Sequence, residues 1–268
     1  MANAPFADHI ARWGLVPDGE PIVTHGSRLL PVRRQGVPAM LKVAVEPEEK
    51  FGGDLLTWWD GDGAARVLAR EGDAVLIERA VSGRTLADLV DEGRDDEATR
   101  IACAVVAKLH RPRAAPAPQL VPLTTWFKAL VPAAEAHGGI LRRSAATADA
   151  LLAAPQDARP LHGDIHHGNI LDFGTRGWLA IDPMRLVGER GFDYANVFCN
   201  PDHETATSPE RFQRRLAIVA EAAQIERERL LQWIVAWAGL GAAWFIEDEG
   251  EADTDLRVAE MAAAELDR

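Results

Sequence analysis

Along the first eighty positions, apolar residues alternate with polar ones in short runs broken by turn formers. Residues 21–23, 28–32 and 38–45 read as strands. Arg34, Gln35 and Gly36 separate the last two and predict a hairpin. Residues 65–69 and 74–77 form a second strand pair around Arg70, Glu71, Gly72 and Asp73, and the intervening stretch 48–60 reads as a helix. Beyond Ser82 and Gly83 the period becomes helical. Residues 85–91 and 95–110 carry apolar positions at three- and four-residue spacing, and Asp95 and Asp96 suit a helix start. A Pro- and Ala-rich loop, 111–122, leads to helices at 123–137 and 143–153. Two short strands follow, 169–172 and 178–181; after Phe192 the pattern is helical, over 192–198, 208–224, 226–245 and 252–266. The expected fold is α+β in two lobes: a small β-rich lobe with one helix (1–80), a hinge near 78–83 and a larger helical lobe (81–268). A cleft between two such lobes is a natural ligand site.

Composition narrows the function. The chain has 268 residues, 29 Lys and Arg against 41 Asp and Glu, and a formal net charge of −12. That balance argues against nucleic acid as a partner, which needs clustered cations, and suits a cationic small molecule. Cys103 and Cys199 lie in apolar helical stretches and read as buried thiols of a reducing compartment. The start of the chain lacks the pattern of a signal peptide, and no apolar run is read as reaching 18 residues. A cytoplasmic protein without a membrane partner is expected, with a monomer as the simplest state.

The densest polar cluster is residues 161–171, LHGDIHHGNIL. An Asp on a tight turn, Asp164, followed five positions later by Asn169 at a strand start, suits phosphoryl transfer. The carboxylate can accept a hydroxyl proton, and the amide oxygen can hold Mg²⁺. Strand, turn and strand bring Asp182 back beside Asn169, and that pair of hard oxygen donors suits Mg²⁺ shared with substrate phosphates. A zinc site on His162, Asp164, His166 and His167 competes poorly, because adjacent histidines point apart in an extended segment.

The segments HGDIHHGN and IDP resemble the catalytic segment of aminoglycoside phosphotransferases, which share the protein-kinase-like fold. The wider pattern RGWLAIDPMRLVGERGFDYANVF, with PAMLKV, DGDGAARVL, LIERA and ATRIACAVVAKLHRP, is similar to the branch of streptomycin 6-phosphotransferases and hydroxyurea phosphotransferases. The resemblance implies an ATP- and Mg²⁺-dependent O-phosphotransferase. It implies Asp164 as catalytic base, Asn169 and Asp182 as metal ligands, and Lys42 on the ATP phosphates. It further implies Glu49, or Glu48, as the partner of Lys42, the backbone of Glu78 and Ala80 as the adenine contacts, and residues 24–27, with Ser27, as the phosphate-covering turn.

Gly163 stands where protein kinases carry an Arg that anchors a phosphorylated activation loop, and the segment from Asp182 to Phe192 is short. A small-molecule acceptor is therefore expected instead of a protein. Asp193 is expected to cap the next helix and brace the catalytic loop. The favoured acceptor is an aminocyclitol hydroxyl of streptomycin, a cationic aminoglycoside with two guanidinium groups. Hydroxyurea, a small amino alcohol or a catalytically silent nucleotide-binding module are the alternatives. Candidate substrate residues are Asp202, Glu204, Trp237 and Glu247, drawn from a wider acidic and aromatic set that includes Trp233, Trp244 and Asp248. Trp233, Trp237 and Trp244 are spaced to share one helix face, where plain core packing is the competing reading.

Overall fold

A computed structural model of the chain describes residues 5–45 and 52–268. Helix α1 (Ala7–Trp13) leads into β1 (Leu15–Pro17), β2 (Ile22–Val23), β3 (Ser27–Arg34) and β4 (Val37–Ala44). Helix α2 (Gly52–Trp59), β5 (Val67–Glu71) and β6 (Ala74–Glu78) complete the small lobe. The sheet runs β1-β3-β4-β6-β5, with β2 sharing an edge of β3. The hairpin predicted at residues 34–36 is present, and Arg34 pairs with Val37.

Strand parity sorts the small lobe into two faces. Ala39, Leu41, Ala74 and Leu76 join Phe6, Leu15, Leu30 and Val32 in a core on one face, covered by Ile10 and Trp13. Val75 and Ile77 point the other way, onto Leu55, Leu56 and Trp59 of α2. Lys42 pairs in register with Val75, so it shares the α2 face. The strand lysine is thereby aimed at the cleft and away from solvent.

The large lobe begins with α3 (Leu86–Asp91) and α4 (Asp95–Leu109), then β7 (Val121–Pro122), α5 (Leu123–Trp126), α6 (Leu130–His137) and α7 (Gly139–Ala153). The helix expected over 123–137 is interrupted by a 3₁₀ turn, Phe127–Ala129. Pro132 explains the break: it lacks an N–H and is tolerated in the first turn of α6, not inside a longer helix. Strands β8 (Ala158–Leu161), β9 (Ile170–Asp172), β10 (Trp178–Ala180) and β11 (Leu186–Glu189) follow. β9 and β10 form the expected antiparallel hairpin, with Ala180 opposite Ile170. The small sheet β7-β11-β8 was not expected; its strands are short and lack alternation.

Helices α8 (Phe192–Ala195), α9 (His203–Ala206), α10 (Pro209–Ala223), α11 (Arg227–Glu247) and α12 (Asp253–Leu266) complete the chain. α11 corrects the expectation about apolar runs: its 21 residues are long and apolar enough to cross a membrane. It is instead the central helix of the lobe, with 72% of its apolar window buried. Trp233 sits wholly inside, against Phe127 and Phe192, and donates its Nε1–H to Glu189 at 2.7 Å.

Candidate active site

β8 ends at Leu161 and β9 starts at Ile170, so the loop between them is clamped at both ends. Gly163 has φ +86°, and a Cβ there would lie 2.8 Å from Leu186 Cδ1, so no side chain fits. Asp193 accepts hydrogen bonds from the amides of His162 (2.9 Å) and Gly163 (2.7 Å) and from His110 Nε2 (2.8 Å). The bracing role expected of Asp193 is present. The capping role is not: Asp193 lies inside the first turn of α8, and these three contacts engage its carboxylate.

The same loop is stitched to the segment bearing Asp182. His162 Nε2–H donates to the Ile181 carbonyl at 2.8 Å, Met184 N to the His162 carbonyl at 2.7 Å, and Ile181 N to the Asn169 carbonyl at 2.9 Å. Burial keeps His162 below its ordinary value, against the pull of Asp193, so it is a neutral structural donor. Trp59 stacks on its ring at 6.0 Å.

Asp164 lies at the centre. Asn169 Nδ2 donates to its Oδ2 at 2.9 Å and to its carbonyl at 3.0 Å. Asn196 Nδ2 donates to Oδ1 at 3.0 Å, and His166 Nε2 stands 3.6 Å from Oδ2. Burial pushes the Asp164 carboxyl up, but hydrogen bonding and charge from His166, with smaller help from His162 and Asn169, leave it below the usual range. It is a carboxylate near neutral pH.

Because the Asn169 amide nitrogen faces Asp164, its oxygen remains as the group that could ligate a cation. Asp182 adopts a left-handed backbone, φ 66°, which a short acidic residue tolerates, and its carboxylate forms an ion pair with Lys42 Nζ. Asn169 and Asp182 offer two hard oxygens, which fits Mg²⁺ held jointly with phosphates. Among the described residues no group of three or more His, Cys, Asp or Glu forms a metal cage, which disfavours the zinc reading.

A cleft lies under β4 and β6, lined by Leu29, Lys42, Leu56, Ile77, Ile181 and Asp182 among others. Glu78 and Ala80 do not line it. Glu78 sits at the end of β6, where its amide donates to the Arg66 carbonyl and its carboxylate accepts from Arg66 N and pairs with Arg176. Only its carbonyl could then face an adenine. Ser27 is buried at the head of β3, and its amide donates to Thr24 Oγ1 at 3.1 Å. It closes the turn, so its amide reaches no phosphate without breaking that bond. Glu48 and Glu49 lie outside the described residues.

Asp164 and His166 open on a second pocket, about 700 Å³ including its mouth, shared with Asn196, Asn200, Trp237, Trp244, Phe245, Asp248 and Asp255. Trp237 is 7% exposed, and its Nε1 is a buried donor without a partner among the described residues. Burial raises Asp255 to about 6, opposed by its contact with Cys199. A Cβ on Gly241 would lie 2.3 Å from Asp255 Oδ1, so the missing side chain gives the carboxylate its space. Of the four substrate residues singled out from the sequence, Trp237 lines this pocket, and Trp244 and Asp248 of the wider candidate set line it too. Asp202 caps α9, accepting from Thr205 N at 2.9 Å; Glu204 and Glu247 are exposed and lie off the lining. Asn196, Asn200 and Asp255 were missed. An asparagine followed by the apolar run Val197, Phe198 and Cys199 was the one available signal.

A β-sheet lobe, a helical lobe and an Asp–Asn–Asp cluster in the cleft define a small-molecule phosphotransferase of the protein-kinase-like fold. Solved structures agree on the fold. A thermostable mutant of aminoglycoside phosphotransferase APH(4)-Ia, in ternary complex with AMP-PNP and hygromycin B, superposes with a TM-score of 0.65 at 13% identity, covering 98% of this chain and 99% of that one. Choline kinase LicA from Streptococcus pneumoniae gives 0.61 at 13% identity, over 98% and 97%.

Residues 12–249 match the model of the aminoglycoside/hydroxyurea antibiotic resistance kinase family, and the chain belongs to that family. It is 54% identical to streptomycin 3''-kinase of Klebsiella pneumoniae, covering 96% of this chain and 99% of that protein. It is 32% identical to streptomycin 6-kinase of Streptomyces griseus (95% and 87%) and 32% identical to hydroxyurea phosphotransferase of Kitasatospora aureofaciens (97% and 77%). The protein is thus a kinase that uses ATP and an alcohol acceptor.

Proposed function

We propose that the protein transfers the γ-phosphoryl group of ATP to streptomycin at its 3''-position. The 54% identity to a 3''-kinase, against 32% to a 6-kinase, moves the assignment away from the aminocyclitol hydroxyl. The observation that carries the reading is Asp164 at the edge of a pocket whose wall bears the buried carboxylate Asp255 and the indoles Trp237 and Trp244. A pocket that offers two indoles and two carboxylates suits a multi-ring cationic acceptor better than hydroxyurea.

Asp164 receives the hydrogen bond of the acceptor hydroxyl, aligns it on the γ-phosphorus and takes its proton as the bond forms. Lys42 compensates phosphate charge once it exchanges Asp182 for the nucleotide. Asn169 and Asp182 would hold Mg²⁺, and the ion would supply charge neutralisation of the triphosphate. Asp248 and Asp255 receive the cationic groups of the acceptor, and a guanidinium can engage a carboxylate through two parallel N–H bonds. Most of the rate then comes from positioning and electrostatics.

The test is incubation with ATP, Mg²⁺ and a panel of streptomycin, hydroxyurea, other aminoglycosides and amino alcohols, read by intact mass. NMR of the product locates the phosphate. A gain on streptomycin at the 3''-position is expected. A gain at another hydroxyl overturns the regiochemistry, and a gain only on hydroxyurea or an amino alcohol overturns the substrate class.

A further inference from the structure

Asp164 has one oxygen held by its own loop, through Asn169, and the other held from outside it. The outside donor is Asn196, in the 3₁₀ turn Asn196–Cys199 that follows α8, and it is 2% exposed. Its orientation follows from its own partner. Asn200 Nδ2 donates to Asn196 Oδ1 at 2.8 Å and to the Asn196 carbonyl at 3.1 Å. With Oδ1 accepting, Asn196 must present its N–H₂ to Asp164. The turn is in turn pinned by Arg215 of α10, which is 1% exposed. Arg215 donates to the carbonyls of Val197 (2.8 Å) and Asn200 (2.6 Å) and pairs with Asp95 of α4 at 2.6 Å. A fully buried ion pair contributes little net stability, so its notable effect here is to fix that turn.

We propose that Asn196 is a positioning residue for phosphoryl transfer: its amide, anchored through Asn200 and Arg215, fixes the plane of the Asp164 carboxylate against the acceptor hydroxyl. The inference rests on the reading of Asp164 as the acceptor base. The terminal torsion of an aspartate is soft, so one donor leaves the carboxylate free to swing. Donors on opposite oxygens, from two separate elements, remove that freedom. One lone pair of Oδ1 remains for the hydroxyl, and Asn196 and Asn200 both line the acceptor pocket. Small misalignments at the reacting centre cost large factors in rate.

The test is a double-mutant cycle. Asn196→Ala is expected to lower kcat about 30-fold on streptomycin while KM for ATP stays within about twofold. Asn196→Asp, which keeps the shape and loses the donor, is expected to be at least as slow. In an Asp164→Asn background, Asn196→Ala is expected to lower the residual rate by less than about threefold, because the group it positions is already gone. Equal losses in both backgrounds, or an Asn196→Asp enzyme near wild-type rate, would overturn the proposal. If Asn196→Ala does not fold, Asn200→Ala keeps the Asn196 side chain and removes its anchor; about a tenfold fall in kcat, absent in the Asp164→Asn background, is then expected. A wild-type enzyme that leaves streptomycin unmodified ends the streptomycin reading alone. The crystal structure of Asn196→Ala, or of Asn200→Ala if the former does not fold, without acceptor then decides the matter. A rotated Asp164 carboxylate supports the positioning role, and an unmoved one refutes it.

Discussion

Asp255 is a carboxyl whose surroundings work against its charge. It is 4% exposed, and burial raises it from the ordinary 3.8 to about 6. Between those values the folded chain binds a proton that the unfolded chain releases, so stability falls as pH rises through that window. Asp255→Asn removes the penalty and keeps the shape. Urea unfolding at pH 7 is expected to show the variant more stable by up to about 3 kcal/mol, with the gain gone below about pH 4. The same change is expected to raise KM for streptomycin about tenfold, since a charge-assisted bond is lost. A stability gain that is the same at both pH values would refute the burial argument. Asp164 poses the opposite case, a carboxyl kept ionised by its donors. Asp164→Asn is expected to cut kcat by about 100-fold or more, with nucleotide affinity within a factor of about three. Calorimetric titration with an ATP analogue separates the two effects; a comparable loss of affinity would move Asp164 to the nucleotide side.

At the scale of elements, the catalytic loop is held by contacts that no periodicity announces. Asp193 on α8 satisfies two buried amides and His110 at once. Its removal leaves those donors unpaired, and Asp193→Ala is expected to cost about 3 kcal/mol or more in chemical unfolding, with kcat reduced as the loop loosens. A loss below about 1 kcal/mol would show that the loop is carried by β8 and β9 alone. The same logic explains what was readable beforehand. The strands around 34–36, the hairpin of β9 and β10, and the helices α4, α10, α11 and α12 each carry a strong period or turn signal. Asp164, Asn169 and Asp182 were readable because their spacing is set by one loop and one hairpin. The strands β7, β8 and β11 owe their existence to partners distant in sequence, and three or four residues of pattern cannot reveal them. Asn196 and Asp255 escaped for a related reason. An asparagine within a short helical turn and an aspartate in a first helical turn look like ordinary capping residues until tertiary packing buries them. Asp202, chosen for its charge, is such a cap.

For the molecule as a whole, the relevant quantity is the field at the mouth of the acceptor pocket. The chain carries a net charge of −12, and the pocket wall includes Asp248 and Asp255. The end of α11, the start of α12 and the connection between them add Glu247, Asp253, Glu249 and Glu251, all exposed. Exposed carboxylates contribute little to folding, but together they raise the local concentration of a cation and steer its approach. That effect acts before chemistry, so it belongs to kcat/KM and not to kcat. Salt at 0.5 M shortens the screening length to a few ångströms and suppresses it. Raising NaCl from about 0.05 to 0.5 M is expected to lower kcat/KM for streptomycin about tenfold while kcat stays within about twofold. Replacing Glu247, Glu249 and Glu251 together by Gln is expected to flatten that dependence and to leave the low-salt kcat unchanged, because none of the three lines the pocket. A salt response of equal size in the triple variant would locate the field inside the pocket, on Asp248 and Asp255, and would make the exposed run a solvated turn with no part in catalysis.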